Sequence, residues 1–418
     1  MGGRLCVLCR GARYLCGRAY CPIVARMYVE VQIAALSNSN HLFGSSPPSV
    51  FVGRIGYPYV YAGPLAPPAT GDTSVYDYPE RWQLMKLEDL LSLRLSLVLG
   101  RRTLYVHGVS DRFVESLQHI VLGLKPVDIE MRFSKAPRGY IMSDYEPPIG
   151  PRAPIEYVRI VESPATHRAV ERLYSDSDAR ASEAVVELYR AGVEVSHIQK
   201  ILSVGALGRK RYRKLVPTRW AITAVDDTIS RHLIEDRIRW YGELEEVHVF
   251  MRYIHRNLFT AILVPGRWSF EWMEAWFPRS TWNPTGETIV IEGDCEVIRP
   301  RDEYASIGGC YYASRLATAE YLDRVGRQAI AVVLREIYPG FDIPIGVWFV
   351  REQLREMYRQ KPLKVSTVED ALGIVARHSS VGITKWVEKS RLLQLLLKTK
   401  KLDAFAKRGG HTELNTQT

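Results

Sequence analysis

Four cysteines in the first 21 residues have the spacing of a metal-binding segment: Cys6-x2-Cys9-x6-Cys16-x4-Cys21. Thiolates supplied as close pairs are common tetrahedral ligands of structural zinc. Gly11 lies in the longest gap and Gly17 follows Cys16, so the backbone has the freedom to turn back on itself. A segment this short has no hydrophobic core, and a four-cysteine site would replace one. The spacing therefore predicts a structural zinc. Two disulfides, unrelated thiols or an iron–sulfur centre are the alternatives. No histidine or open ligand position is apparent, which argues against catalysis by this metal. The same stretch is basic, with Arg4, Arg10, Arg13, Arg18 and Arg26 all preceding the first acid, Glu30. Such a segment suits phosphates. Equally, it could dock on an acidic face of the chain's own core.

A second cluster lies in RKLVPTRWAITAVDDTISRHL, residues 213–233. Arg209, Lys210, Arg211, Arg213, Lys214 and Arg219 form an acid-free basic run, and Asp226 and Asp227 follow it. Asp294 and Glu296 recur later, near Arg299 and Arg301. Cations on phosphate beside carboxylates on magnesium or manganese would suit phosphoryl chemistry, provided that the four acids converge. A structural reading is equally physical: Asp226 or Asp227 caps a helix beginning near Thr228, and Arg219 pairs with one of them. Arg54, between Gly53 and Gly56, marks a loop where backbone could approach a ligand. The chain has no zincin, nucleophile-elbow or phosphate-loop motif. His232, His248 and His255 lack ligand-like company.

These residues need a body to position them. The chain has 418 residues, 46% hydrophobic and 24% charged, and a net charge of +10. That composition suits a soluble folded protein with a polyanionic partner. With no signal-like leader and no apolar run long enough to span a membrane, the expectation is a cytoplasmic protein. Strands and helices interleave, which predicts an α/β or α+β fold. Three regions are expected: a zinc-finger-like module over 1–26, a mixed core over 27–384, and a basic helix with a tail over 385–418. Within the core, 27–44, 83–99, 111–123, 176–192 and 314–338 read as helices. Strands are expected at 126–133, 155–162, 245–251, 258–264, 288–292 and 345–350. Trp268, Trp272 and Trp276 recur every fourth residue, a packing stripe if that segment is helical.

Several stretches together resemble the archaeal Nre family of DNA repair proteins. They are CVLCRGARYLCGRAYCPI, FVGRIGYPYVYAGPLAPP, KPVDIE, LVPTRWAITAVDD, WSFEWMEAW, GGCYYASRLATAEYL, RQAIAVVLREI and PIGVWFVRE. The resemblance implies a role in repair of damaged DNA, an N-terminal zinc-finger-like element at Cys6, Cys9, Cys16 and Cys21, and association with the sliding clamp. Family members commonly end in a clamp-binding peptide. Here Leu402 and Phe405 match its aliphatic and aromatic positions, while Thr399 stands where the family has Gln. The resemblance supplies no catalytic residues. Three functions are therefore carried forward: a factor that binds damaged or branched DNA, a metal-dependent nuclease using Asp226, Asp227, Asp294 and Glu296, and a noncatalytic adaptor. Charge alone does not separate DNA from RNA.

Overall fold

The computed structural model describes residues 4–10, 13, 15–16, 39–143, 146–341 and 343–398. Two six-stranded sheets carry the fold. The first contains β1 (His41–Ser46), β2 (Val50–Val52), β3 (Tyr59–Ala66), β4 (Val98–Tyr105), β5 (Val127–Phe133) and β6 (Arg152–Ile160), in the order β1-β5-β6-β4-β3-β2. The second contains β7 (Val247–Ile254), β8 (Asn257–Val264), β9 (Ser269–Trp276), β10 (Val290–Val297), β11 (Ile330–Ile337) and β12 (Leu363–Val365), in the order β10-β9-β11-β8-β7-β12. The expected mixed α/β body is observed.

The sheets differ in how they are covered. The inner face of the first sheet (Val60, Ala62, Leu104, Ile129, Met131, Phe133) packs on the helices Arg112–Leu122 and Val195–Ser203. The alternation of PVDIEMRF reports this half-buried state directly: even positions of β5 are partly exposed and odd positions buried. The second sheet is covered on both sides. Helices Gly309–Val325 and Trp348–Arg359 lie on one face. The other face is sealed by Val368–Ala376, Ile383–Lys389 and the helical residues 391–398, through Leu372, Trp386, Leu392 and Leu393. All eight residues of β8 and of β9 are consequently buried.

That double burial explains several departures from expectation. Trp268, Trp272 and Trp276 lie in or beside a strand, where an even spacing also aligns side chains. The long helix expected over 314–338 is a helix ending at Val325, a left-handed Gly326 (φ 65°), and then β11. The segment IGVWFV opens the helix Trp348–Arg359 instead of forming a strand; residues 41–44 of the expected 27–44 helix lie in β1, and 27–38 lie outside the described residues. The 176–192 helix is shorter, Ala181–Arg190. Asp176 does not cap it and accepts instead from the Asp178 and Ala179 amides in the turn before it. No helix among the described residues is long and apolar enough to cross a membrane.

His197 is held in the layer between the helices and the first sheet, with Nε2 2.6 Å from the Val121 carbonyl oxygen. Burial pushes its pKa down to about 4, against the smaller upward pull of that carbonyl. The folded chain keeps this ring neutral, whereas the unfolded chain binds a proton below its ordinary pKa. Stability is therefore complete above the ordinary value and is lost as pH falls. Between pH 6.5 and 5 the expected loss is about 2 kcal/mol. In urea titrations His197→Gln, which keeps a donor toward Val121, should flatten most of that slope. An equal slope in the variant would refute the assignment.

Candidate nucleic-acid interface

Pro217 opens the helix Thr218–Asp236, and the Thr218 hydroxyl accepts from the Val52 amide at 2.9 Å, tying the helix to β2. The helix thus begins ten residues before Thr228, and Asp226 and Asp227 sit in its middle, so neither is a cap. Consecutive positions on a helix point about 100° apart. Asp226 consequently faces the core and Asp227 faces a cleft.

Asp226 is fully buried and accepts from Arg351 at 3.0 and 3.2 Å and from Gln199 at 2.9 Å. Burial pushes its carboxyl up to about 6, although Arg351 and Arg355 pull the other way. Asp227 is bound by Arg231 Nε at 3.0 Å to each oxygen and by Arg315 Nη2. Arg315 also donates to Glu296 at 3.0 Å and to the Ser230 hydroxyl at 3.2 Å. Burial disfavours its charge, but Glu296 and Asp227 outweigh burial and hold the guanidinium protonated. Glu296 accepts in addition from the Trp268 indole at 2.9 Å. Asp294 pairs with Arg301 at 3.0 Å and accepts from Ser306 and the Ile307 amide.

Asp227 and Glu296 therefore share one arginine, Asp294 lies two residues along the same strand, and Asp226 is turned away. Each of the four carboxylates is paired with a guanidinium. Among the described residues no three His, Cys, Asp or Glu side chains are arranged to hold a metal ion. The donor set does not fit two catalytic cations.

The N-terminal basic residues are also redistributed. The helix Arg4–Cys9 packs against β10, and Arg4 pairs with Glu292. Arg10 is buried: it pairs with Glu274, donates to the Val7 carbonyl at 3.0 Å, and lies 3.3 Å from Cys310 Sγ. Burial alone would raise the Glu274 carboxyl, yet Arg10 and Arg335 hold it below its ordinary value. Arg10 is thus a core residue and not a phosphate ligand. Cys6 and Cys9 share the first helix and Cys16 is exposed, whereas Cys21 and Arg18 lie outside the described residues, as do Leu402 and Phe405. The described geometry gives no support to the four-cysteine zinc site.

The run 209–219 divides in two. Arg213 donates to the carbonyls of Gly208, Tyr174, Leu173 and Asp176, so it staples the loop. Arg209, Lys210, Arg211 and Lys214 are exposed around it. Arg219 lines a cleft of about 560 Å³, together with Arg13, Arg54, Trp220, Asp227 and Arg231. Asp302, Glu303 and Tyr304 also line it. Trp220, Thr223, Asp227 and Arg231 recur at three and four residues and present one helical face to the cleft. The Trp220 ring lies 5.1 Å from that of Tyr57, and both rings are over two-fifths exposed. Sequence reasoning overlooked Tyr57 and Trp220; the signal available was the alternation of Tyr57, Tyr59 and Tyr61.

Two family models cover most of the sequence: archaeal Nre, N-terminal, over residues 15–283, and archaeal Nre, C-terminal, over 296–405. The chain belongs to the archaeal Nre family. It is 50% identical over 391 residues to the DNA repair protein NreB of Archaeoglobus fulgidus, covering 93% of this chain and 97% of the relative. It is 36% identical to NreA of the same organism (89% and 93% covered) and 34% identical to NreA of Haloferax volcanii (84% and 86%). No solved structure matches it.

Arg315, which holds Asp227 from behind the cleft, gives a direct test of this arrangement. Replacing it by Met leaves Asp227 and Glu296 without their shared counter-ion. Breaking a buried pair from one side costs about 3–5 kcal/mol. Arg315→Met should lose that amount in chemical denaturation. Arg211→Ala, at an exposed position, should stay within about 0.5 kcal/mol of the parent.

Proposed function

We propose that this Nre-family protein is a DNA repair factor that acts by binding damaged or branched DNA. The carrying observation is the arginine-lined cleft at the start of the Thr218–Asp236 helix, flanked by the exposed basic loop 209–214. Guanidinium and ammonium groups at a cleft mouth suit phosphates, and the exposed Trp220 and Tyr57 rings suit unpaired bases. The names of the curated relatives supply the repair context. Binding is favoured over metal-dependent cleavage because Asp226, Asp227, Asp294 and Glu296 are all neutralised by arginine.

Contacts of this kind are phosphate-directed, so they should tolerate many sequences and weaken steeply with salt. Arg211→Ala/Lys214→Ala should bind a labelled fork about tenfold more weakly at low salt. Its plot of log affinity against log salt should be shallower by about 1.5, the equivalent of two lost phosphate contacts. A folded double variant with unchanged affinity and slope would remove the loop from the interface.

The second part of the proposal is association with the sliding clamp through the tail, where Leu402 and Phe405 would fill an apolar pocket. Leu402→Ala/Phe405→Ala should abolish clamp binding in calorimetry and leave DNA affinity unchanged. Full retention of clamp binding by that variant would exclude this tail.

A further inference from the structure

The outer face of β3 and β4 is divided along its length. At one end Leu65 and Leu99 are sealed by Leu97, Ile149, Phe51 and Ile141. At the other end the same face carries Tyr59, Tyr61 and Tyr105, which are 60%, 46% and 46% exposed. Strand pairing sets Tyr59 opposite Tyr105, with ring centroids 5.3 Å apart, and Tyr61 opposite Thr103. The Arg101 guanidinium lies 4.7 Å from the centre of the Tyr61 ring. Beyond the strand end, Tyr57 and Trp220 continue the series to the mouth of the arginine cleft.

Exposed aromatic side chains are ordinary when scattered singly. Three on one strand face beside Arg101, with a further pair of exposed rings just beyond the strand end, are a different matter. Alternate residues of a strand are about 7 Å apart, so Tyr59 and Tyr61 present separate rings that an unstacked polynucleotide can address one base at a time. The Leu215 amide donates to the Val106 carbonyl at 2.8 Å, so the basic loop runs beside the end of β4. Rings and cations therefore lie side by side, the two components of sequence-tolerant single-strand binding. A duplex keeps its bases stacked inside and has no use for the rings.

We propose that the Tyr59–Tyr61–Tyr105 face, continued by Tyr57 and Trp220, is a stacking platform for single-stranded DNA that leads into the arginine cleft. This rests on the DNA-binding reading above and deepens it. It assigns the cleft and basic loop to phosphates and the sheet face to exposed bases, so the preferred substrate has a single-stranded arm.

The test uses the full chain with a labelled 20-nucleotide oligo-dT, the corresponding duplex, and a ribo-oligomer of matching length. The parent should bind oligo-dT, and Tyr59→Thr/Tyr105→Thr should bind it at least tenfold more weakly with little change on the duplex. Tyr59→Phe/Tyr105→Phe, which keeps the rings, should remain within about twofold of the parent. A folded Thr variant that binds oligo-dT like the parent overturns the platform. If the parent binds no DNA of either form, the DNA-binding reading itself fails. Tighter binding of the ribo-oligomer overturns the assignment to DNA. Photocrosslinking of the unaltered protein to iododeoxyuridine-containing oligo-dT gives an answer independent of variant folding. Crosslinks at Tyr57, Tyr59, Tyr61, Tyr105 or Trp220 support the platform, and crosslinks confined to other surfaces overturn it.

Discussion

One buried guanidinium fixes the geometry on which the cleft depends. Arg315 projects from the Gly309–Val325 helix and is 1% exposed. It reaches Asp227 and Ser230 on the neighbouring helix and Glu296 on β10. Three elements distant in sequence are thereby locked at one point. A buried ion pair adds little net stability over a hydrophobic contact, but it is costly to break and highly directional. Its consequence here is positional. Asp227 lines the cleft with its charge compensated, beside Arg219, Arg54 and Trp220. The same pairing that stabilises the site removes its carboxylates from metal chemistry.

The device is repeated elsewhere. Glu274 is buried between Arg10 and Arg335, which brings the N-terminal helix onto the second sheet. Arg335 is also packed among Phe259, Trp276, Phe341 and Phe349, so its charge is both paired and covered by rings. Arg94 meets Asp77, and Arg351 meets Asp226. Arginine serves this protein as an internal connector as well as a surface cation, because its planar fork satisfies several acceptors at once.

That double use sets the limit of what the sequence could disclose. The alternation of β5, the Asp111-capped helix Arg112–Leu122 and the interleaving of strands with helices were legible, because local periodicity reports burial on one face. Elements buried on both faces lose that period. β9 was read as a helical stripe, and the start of the Trp348–Arg359 helix as a strand, because a short apolar run is compatible with either. Stop signals were present and underused: Gly326 ends a helix, and Pro217 begins one. Among the cations, Lys214 is exposed and Arg219 lines the cleft, whereas Arg10 is buried and Arg213 is bound to carbonyls, a division that sequence does not show. A basic run records charge, and only tertiary contacts record whether a guanidinium faces water, a carbonyl or a buried glutamate. The relative placement of the acids was hidden for a related reason. Asp226 and Asp227 are neighbours in sequence but occupy different faces of one helix.

The two family segments share the second sheet. The boundary between them falls inside the second sheet, with β7, β8 and β9 in the first match and β11 and β12 in the second. β11 pairs with both β8 and β9, antiparallel to one and parallel to the other. The second segment thus supplies a central strand between two strands of the first. Without β11, β8 and β9 would each lose one backbone ladder and present an unpaired edge of the kind that aggregates. Without β8 and β9, β11 would lose both ladders. The family segments are therefore one folding unit joined through the middle of a sheet. The helix that bears Arg315 lies directly before β11, so the pairing that completes the sheet and the ion pair that holds Asp227 in the cleft lining come from the same stretch of chain.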